Sequence, residues 1–232
     1  DASNNFFGGV TWSPDGERFA CGSHQHGVQV FEMTVQHPRW VKTLFPASTL
    51  PVAWSPDGAQ LAGGGGDGAL YIWDASEAMQ FQRLSGHHST VTDVAWSPGA
   101  NYIASVSRGR VGGELFIWDI PRGKLVQTLT PQSGIVNAVT WSSNEEVAIS
   151  GDSDGVLSWW NVQTGKCLLS HQAHQGTVRA LKRSPDGTKL ASCGDDGAIM
   201  LWDISTGEHL QTLRRDRPYE RMNISGVMGL TE

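Results

Sequence analysis

One unit repeats five times along this chain, and no other feature restricts its fold as tightly. The serines Ser13, Ser55, Ser97, Ser142 and Ser184 stand 42, 42, 45 and 42 residues apart. A large aromatic residue follows each of them: Phe31, Trp73, Trp118, Trp160 and Trp202. From each of the first four aromatics the next anchor serine is 24 residues on. The only change of length is three extra residues in the third unit, between Ser105 and Trp118. The fifth copy, Ser184 to Asp203, shows what a unit encodes. Pro185-Asp186-Gly187 is a turn, because Pro presets φ and Gly admits φ > 0. Lys189–Cys193 is then a strand. Asp195-Asp196-Gly197 is a hairpin turn, since Asp-Gly suits the twist of paired strands, and Ile199–Trp202 is the next strand.

Each unit reads as four strands, with Val10–Trp12, Val52–Trp54, Val94–Trp96, Val139–Trp141 and Val178–Leu181 innermost. A lone four-stranded sheet cannot bury both its faces, so the five are expected to stack radially on one another. The units span about 6–47, 48–89, 90–134, 135–176 and 177–213, and helix should be nearly absent. Arg183 stands where the other units carry Trp12, Trp54, Trp96 and Trp141, which marks the fifth sheet's face as atypical or partly wet.

The Trp-Asp pairs at Trp73-Asp74, Trp118-Asp119 and Trp202-Asp203, with Gly86-His87, resemble the WD-repeat β-propeller family over about residues 6–213. The resemblance implies an all-β, WD-type β-propeller with five four-stranded antiparallel blades in this chain. Either the five close as a small ring or further blades lie outside it. The resemblance also implies a hydrogen-bonded tetrad within a blade, which His174, Ser192, Asp196 and Trp202 match in full. The physical reason is that a buried imidazole needs a donor and an acceptor partner, and a Trp N–H needs an acceptor. Blade 3 offers His87, Ser105 and Trp118, its carboxylate position falling in the insertion Arg108–Gly113. Blade 4 offers Ser150, Asp154 and Trp160, with Gln132 in place of His. Blade 2 keeps Asp67 and Trp73, with Phe45 and Gly63 in the other two places, and blade 1 has Cys21, Gln25 and Phe31. His174, Ser192 and Asp196 mimic a catalytic triad, but such residues recur by blade register, as parts of a scaffold do.

From Arg214 to Glu232 the chain leaves the repeat and is locally basic at Arg214, Arg215, Arg217 and Arg221. Its RPYERMNISGVMGLTE resembles the segment that ends the WD-repeat region of bacterial signalling ATPases of the STAND class. That resemblance implies the sensor module of a larger protein in a bacterial cytoplasm. Composition agrees with a cytoplasmic setting. Cys21, Cys167 and Cys193 lack paired spacing, which fits a reducing compartment. Asp1-Ala2-Ser3-Asn4-Asn5 lacks the features of a signal peptide and reads as the end of a linker. No apolar run approaches the ~20 residues a membrane helix requires. A net charge of −6 disfavours nucleic acid as a bulk electrostatic partner.

Several motifs imitate chemistry without its context. Gly63-x-Gly65-x-x-Gly68 matches a dinucleotide fingerprint, but a strand follows it where the fingerprint needs a helix. Gly151-x-Ser153-x-Gly155 imitates a nucleophile elbow, yet it lies in the same hairpin turn as Asp195-Asp196-Gly197. Asp152-x-Asp154-Gly155 is half a calcium loop without its downstream Glu. His24-x-His26 has no third ligand in view. No cofactor, metal or enzymatic activity is expected.

The expected function is binding of a protein or peptide, polar or acidic, or of other domains of a parent chain. By the register that the resemblance implies, the face that recognises it carries Ser48, Leu50, Thr90, Thr92, Ile135, Asn137, Thr177 and Arg179. Gly66, Ser153 and Asp195 adjoin them, and Arg108 and Arg110 overhang the same rim from the insertion. The rival expectation is an inert spacer or an autoinhibitory lock in a STAND-type ATPase.

Overall fold

The computed structural model describes residues 7–35, 37–44, 49–76, 81–109, 112–131 and 134–214. Of Phe7, Thr49 and Leu50 it describes the backbone only. Ser48, the Leu50 side chain, Phe45, Arg110, Gln132 and the tail from residue 215 on thus lie outside the described residues. Among those described, every residue is in a strand or in the turns and bends between strands.

Twenty strands fall into five antiparallel blades in chain order. Blade 1 is β1 (Phe7–Trp12), β2 (Arg18–Ser23), β3 (Gly27–Met33) and β4 (Pro38–Leu44). Blade 2 is β5 (Thr49–Trp54), β6 (Gln60–Gly65), β7 (Ala69–Asp74) and β8 (Phe81–Ser85). Blade 3 is β9 (Val91–Trp96), β10 (Tyr102–Ser107), β11 (Glu114–Asp119) and β12 (Lys124–Leu129). Blade 4 is β13 (Val136–Trp141), β14 (Val147–Asp152), β15 (Val156–Asn161) and β16 (Cys167–Gln172). Blade 5 is β17 (Val178–Arg183), β18 (Lys189–Gly194), β19 (Ala198–Asp203) and β20 (His209–Arg214). Strands pair with their sequence neighbours, and one further pair, Ser23↔Thr49, links blades 1 and 2. The five-bladed all-β expectation therefore holds.

The anchor serine explains why the repeat keeps its register. Ser13 Oγ accepts the N–H of Arg18 at 2.9 Å, and Ser55, Ser97, Ser142 and Ser184 do the same for Gln60, Tyr102, Val147 and Lys189. In four units the hydroxyl also donates to Asp15, Asp57, Asn144 or Asp186 two residues on, closing the turn from inside. Three residues after the serine the chain takes positive φ, at Gly16, Gly58 and Gly187 in units 1, 2 and 5. Ala100 (φ 59°) and Glu145 (φ 61°) hold that conformation in units 3 and 4, so local chemistry tolerates some strain there.

Each blade has a front face, carrying the repeat's Trp, and a back face. Four cores result, each the back of one blade against the front of the next. Ala20, Val28, Val30 and Leu44 of blade 1 meet Trp54, Leu61 and Trp73 of blade 2. Leu70, Ile72 and Leu84 meet Trp96, Ile103 and Trp118. Val106, Leu115 and Leu129 meet Trp141, Ala148 and Trp160. Ile149, Leu157 and Trp159 meet Leu181, Leu190 and Trp202. Indole N–H groups tie blades together as well: Trp96 donates to Ala53 O at 3.1 Å and Trp141 to Ala95 O at 3.0 Å. Innermost strands pack side by side as β1–β5, β5–β9, β9–β13 and β13–β17, with no comparable contact between β17 and β1. Among the described residues the front of blade 1 and the back of blade 5 do not meet. The front of blade 5 is dry at Leu181, Leu190 and Trp202, so the wet front expected from Arg183 is confined to that residue; it is the back of this blade that lacks cover.

Candidate functional site

The structure brings His174, Ser192, Asp196 and Trp202 together. Trp202 Nε1 donates to Ser192 Oγ at 3.0 Å, and His174 Nε2 lies 2.8 Å from the same oxygen. Because an indole only donates, the serine proton is left for His174 Nε2. Nδ1–H then points at Asp196, 3.0 Å away, which also accepts the N–H groups of Ala198 and Gln175. Burial alone would raise the Asp196 pKa, but these bonds outweigh it and hold it below its ordinary value. His174 and Ser192 are each 1% exposed, so the set ties the loop before β17 to β18 and β19 and offers no hydroxyl to a substrate. The hairpin glycine of blade 4 serves the same loop: at Gly155 (φ +85°) a Cβ would stand 2.0 Å from His174 O.

Blade 3 holds a complete set that the sequence did not reveal. Trp118 Nε1 donates to Ser105 Oγ at 2.7 Å, and His87 Nε2 lies 2.6 Å from that oxygen. The carboxylate is Glu114, at the start of β11, 3.1 Å from His87 Nδ1. Glu114 also receives Ser107 Oγ at 2.7 Å, the His88 N–H at 3.1 Å and His88 Nδ1 at 2.6 Å. Burial opposes its charge, yet the four partners prevail and bring its pKa to about 2. The usable signal was that Glu114 is the only acidic residue between Ser105 and Trp118. The insertion hid it by breaking the register, and the longer side chain reaches back to make up the difference.

Blades 4 and 2 depart further. Trp160 Nε1 donates to Ser150 Oγ at 2.8 Å, but Asp154 is exposed and touches only Ser153 Oγ at 3.4 Å through its side chain. Asp152 closes that turn instead, accepting the N–H groups of Asp154 and Val156. In blade 2, Asp67 accepts Tyr71 OH at 2.7 Å and Arg83 Nη2 at 2.8 Å, a polar cluster at the blade's outer side in place of the imidazole.

Acid titration separates these groups. Burial lowers the His87 pKa to about 4 from 6.5, so the unfolded chain takes up a proton that the folded blade refuses. The stability this group contributes is complete above pH 6.5 and is lost as pH falls to about 4. Asp93 has the opposite sign. It joins the innermost strands of blades 3 and 4 by accepting the N–H groups of Val94 and Val139. Burial raises its pKa to about 6 from 3.8, against these bonds and the Lys182 charge. Its charge costs stability above about pH 6, and acidification toward 3.8 removes that cost. Glu114 loses its contribution lower still, between 4.5 and about 2. Asp93→Asn removes the compensating group, so the melting temperature of this variant is expected to fall between pH 7 and pH 4.5 by roughly 2–4 °C more than that of the parent. Parallel melting curves across that range would contradict the assignment.

The rim residues are for the most part bonded to one another. Thr90 donates to Gly66 O at 3.3 Å and Thr177 to Ser153 O at 3.4 Å, each joining two blades. Thr92 donates to Val106 O, Asn137 to Ile135 O, and Ser153 Oγ accepts the Ile135 N–H. Arg179, read as a cation open to a partner, instead grips Asp195 with two bonds of 2.6 and 2.9 Å, a bidentate pair that lowers the Asp195 pKa. Arg108 is exposed and, among the described residues, has no ion pair; Ile135 is 37% exposed. No group of three or more His, Cys, Asp or Glu among the described residues could hold a metal ion, and no helix there is long and apolar enough to cross a membrane.

Five four-stranded blades, joined front to back, with Trp–Ser–His–carboxylate sets pinning blades 3 and 5, define a β-propeller, a fold that serves in general as an interaction scaffold. Residues 123–161 and 165–203 match the family model described as WD domain, G-beta repeat. Residues 3–130, more than half of the chain, match the one described as Eukaryotic translation initiation factor eIF2A. The chain thus belongs to the WD-repeat β-propellers and, over its first three blades, to the family that the eIF2A model describes. No curated protein matches it.

Proposed function

We propose that this chain is a non-catalytic module that holds an acidic protein or peptide segment on its rim. The observation that carries this reading is Arg108. It is exposed and, among the described residues, has no ion pair, on the loop that carries the repeat's three extra residues, beside described rim side chains most of which are bonded to one another. Loops borne on a rigid scaffold are the usual seat of recognition, and Arg can engage a carboxylate through two parallel bonds. The resemblance of residues 217–232 to the STAND-class segment supports a setting in a larger bacterial signalling protein of the cytoplasm, where this module would act as the sensor. The eIF2A match supports a second setting, initiation of translation, for the same binding module.

The test compares the parent chain with Arg108→Ala against panels of acidic, neutral and basic peptides. The expected result is retention of acidic peptides by the parent, a loss of about tenfold or more in affinity for the variant, and an unchanged melting temperature. Retention that does not depend on Arg108 overturns the assignment of the rim. Retention of no peptide favours the spacer or autoinhibitory lock.

A further inference from the structure

The end of the blades away from the rim carries a groove that the repeat alone does not call for. In a four-stranded meander the β13–β14 and β15–β16 turns lie at one end of the blade, and the β14–β15 turn, which belongs to the rim, at the other. Between blades 4 and 5 the first end opens into a cavity of about 650 Å³. Trp159, Leu168 and Leu169 wall it on the side of blade 4, and Thr188, Asp203 and Ile204 on the side of blade 5. Two departures from the repeat make it apolar. Trp159 stands where blades 1 to 3 have Val30, Ile72 and Ile117, and Leu169 where blades 2 and 3 have Gln82 and Gln127. Gln127 spans the junction of blades 3 and 4 by donating to Gln163 O at 3.4 Å, whereas Leu169 has no donor to offer blade 5. Leu168 is left 58% exposed.

The junction of blades 3 and 4 carries, at the same end, a cavity of about 570 Å³ lined by Glu145 and Glu146. The two cavities adjoin: Asn144, on the wall of the apolar one, donates to Glu146 at 2.9 Å. Arg122, the one cation lining the acidic cavity, is already paired with Asp119 at 2.6 Å. Glu145 and Glu146 have no ion pair among the described residues. In the apolar groove Asp203 is the only charged lining side chain, and bonds from Ser205 and Thr206 hold its pKa at about 2. We propose that this underside docks a segment of a partner protein in which a bulky apolar residue adjoins Lys or Arg. The apolar side chain enters the groove between blades 4 and 5, and the cations lie against Glu145, Glu146 and Asp203. Charge selects this partner, because three carboxylates border the groove and its own lining leaves none of them a cation. The volume suits it too, since binding pockets run to roughly 300–1,000 Å³ and pair an apolar lining with a few polar groups. The preference is opposite in sign to that of Arg108, at the other end of the blades, so the two sites stand or fall separately.

Calorimetry with three short synthetic peptides tests this: one with a Leu flanked by lysines, one with that Leu replaced by Ser, and one with the lysines replaced by Glu. The chain is expected to bind the first about tenfold or more tighter than either of the others, and less tightly as salt is raised. Leu168→Ser, at an exposed position, is expected to lower that affinity about tenfold while keeping the melting temperature of the parent. Glu146→Gln keeps an acceptor for Asn144 and is expected to lower it less, with a flatter salt dependence. Equal binding of the serine peptide means that charge alone attracts the ligand, and overturns the inference. So does binding of the glutamate peptide, or full affinity in Leu168→Ser. A chain that binds none of the three overturns it as well, whether a second copy or water covers the groove.

Discussion

Replacing Trp118 with alanine is expected to destabilise the chain by about 3–5 kcal/mol, the range for large aromatic truncations in a packed core. Trp118 is 2% exposed and packs with Ile72, Leu84, Ile103 and Ile120 where blade 2 meets blade 3. The loop before it is built close to the ring: a Cβ on Gly86 would stand 2.8 Å from the indole. Truncation therefore leaves a cavity between two sheets that are held by the same repeated contacts on both sides and can collapse only in part. It also removes the proton that Ser105 Oγ receives at 2.7 Å, so a buried polar atom loses its donor. Urea titration followed by circular dichroism measures the effect as a lower midpoint at an unchanged slope. Trp118→Phe keeps most of the volume and loses the N–H, so it should fall between the parent and the alanine variant. A loss below about 1 kcal/mol for Trp118→Ala would show that blades 2 and 3 can close over the gap, against the packing argued here.

Glu114→Ala is expected to cost about 2–3 kcal/mol, more than an ordinary surface acid. Its carboxylate is the common acceptor for His87, His88 and Ser107. His87 is 8% exposed and stacked on Phe116 at 4.2 Å, so its Nδ1–H cannot turn to water when the acceptor is gone. Glu114→Gln keeps a single carbonyl acceptor and should recover part of the loss, while Glu114→Asp, one methylene shorter, should not reach His87. The readout that separates this network from simple packing is pH. Relative to the parent, the Gln variant's deficit should shrink as pH falls from 4.5 toward 2, the window in which Glu114 itself takes up a proton. A deficit that is constant with pH would place the effect in packing alone.

Much of this protein is local and so legible in the chain by itself. Five units, their strand order and the turns between them follow from a repeat in which Ser Oγ and a residue at positive φ close each turn, with a short acid beside them in units 1, 2 and 5. The tetrad register of blade 5 is readable for the same reason, since its spacing is that of the undisturbed repeat. Three other matters were settled only by tertiary structure. Glu114 takes the carboxylate place in blade 3 because a three-residue insertion broke the register and only the folded loop shows how far a glutamate reaches. Arg179, a free cation on paper, is bound to Asp195 because the start of β17 and the β18–β19 turn meet in space, 16 residues apart in sequence. The same apolar pattern that is buried at Trp96 and Leu84 stands open at Trp12 and Leu213, because pattern specifies which face of a sheet is apolar, whereas burial depends on whether another sheet lies against it.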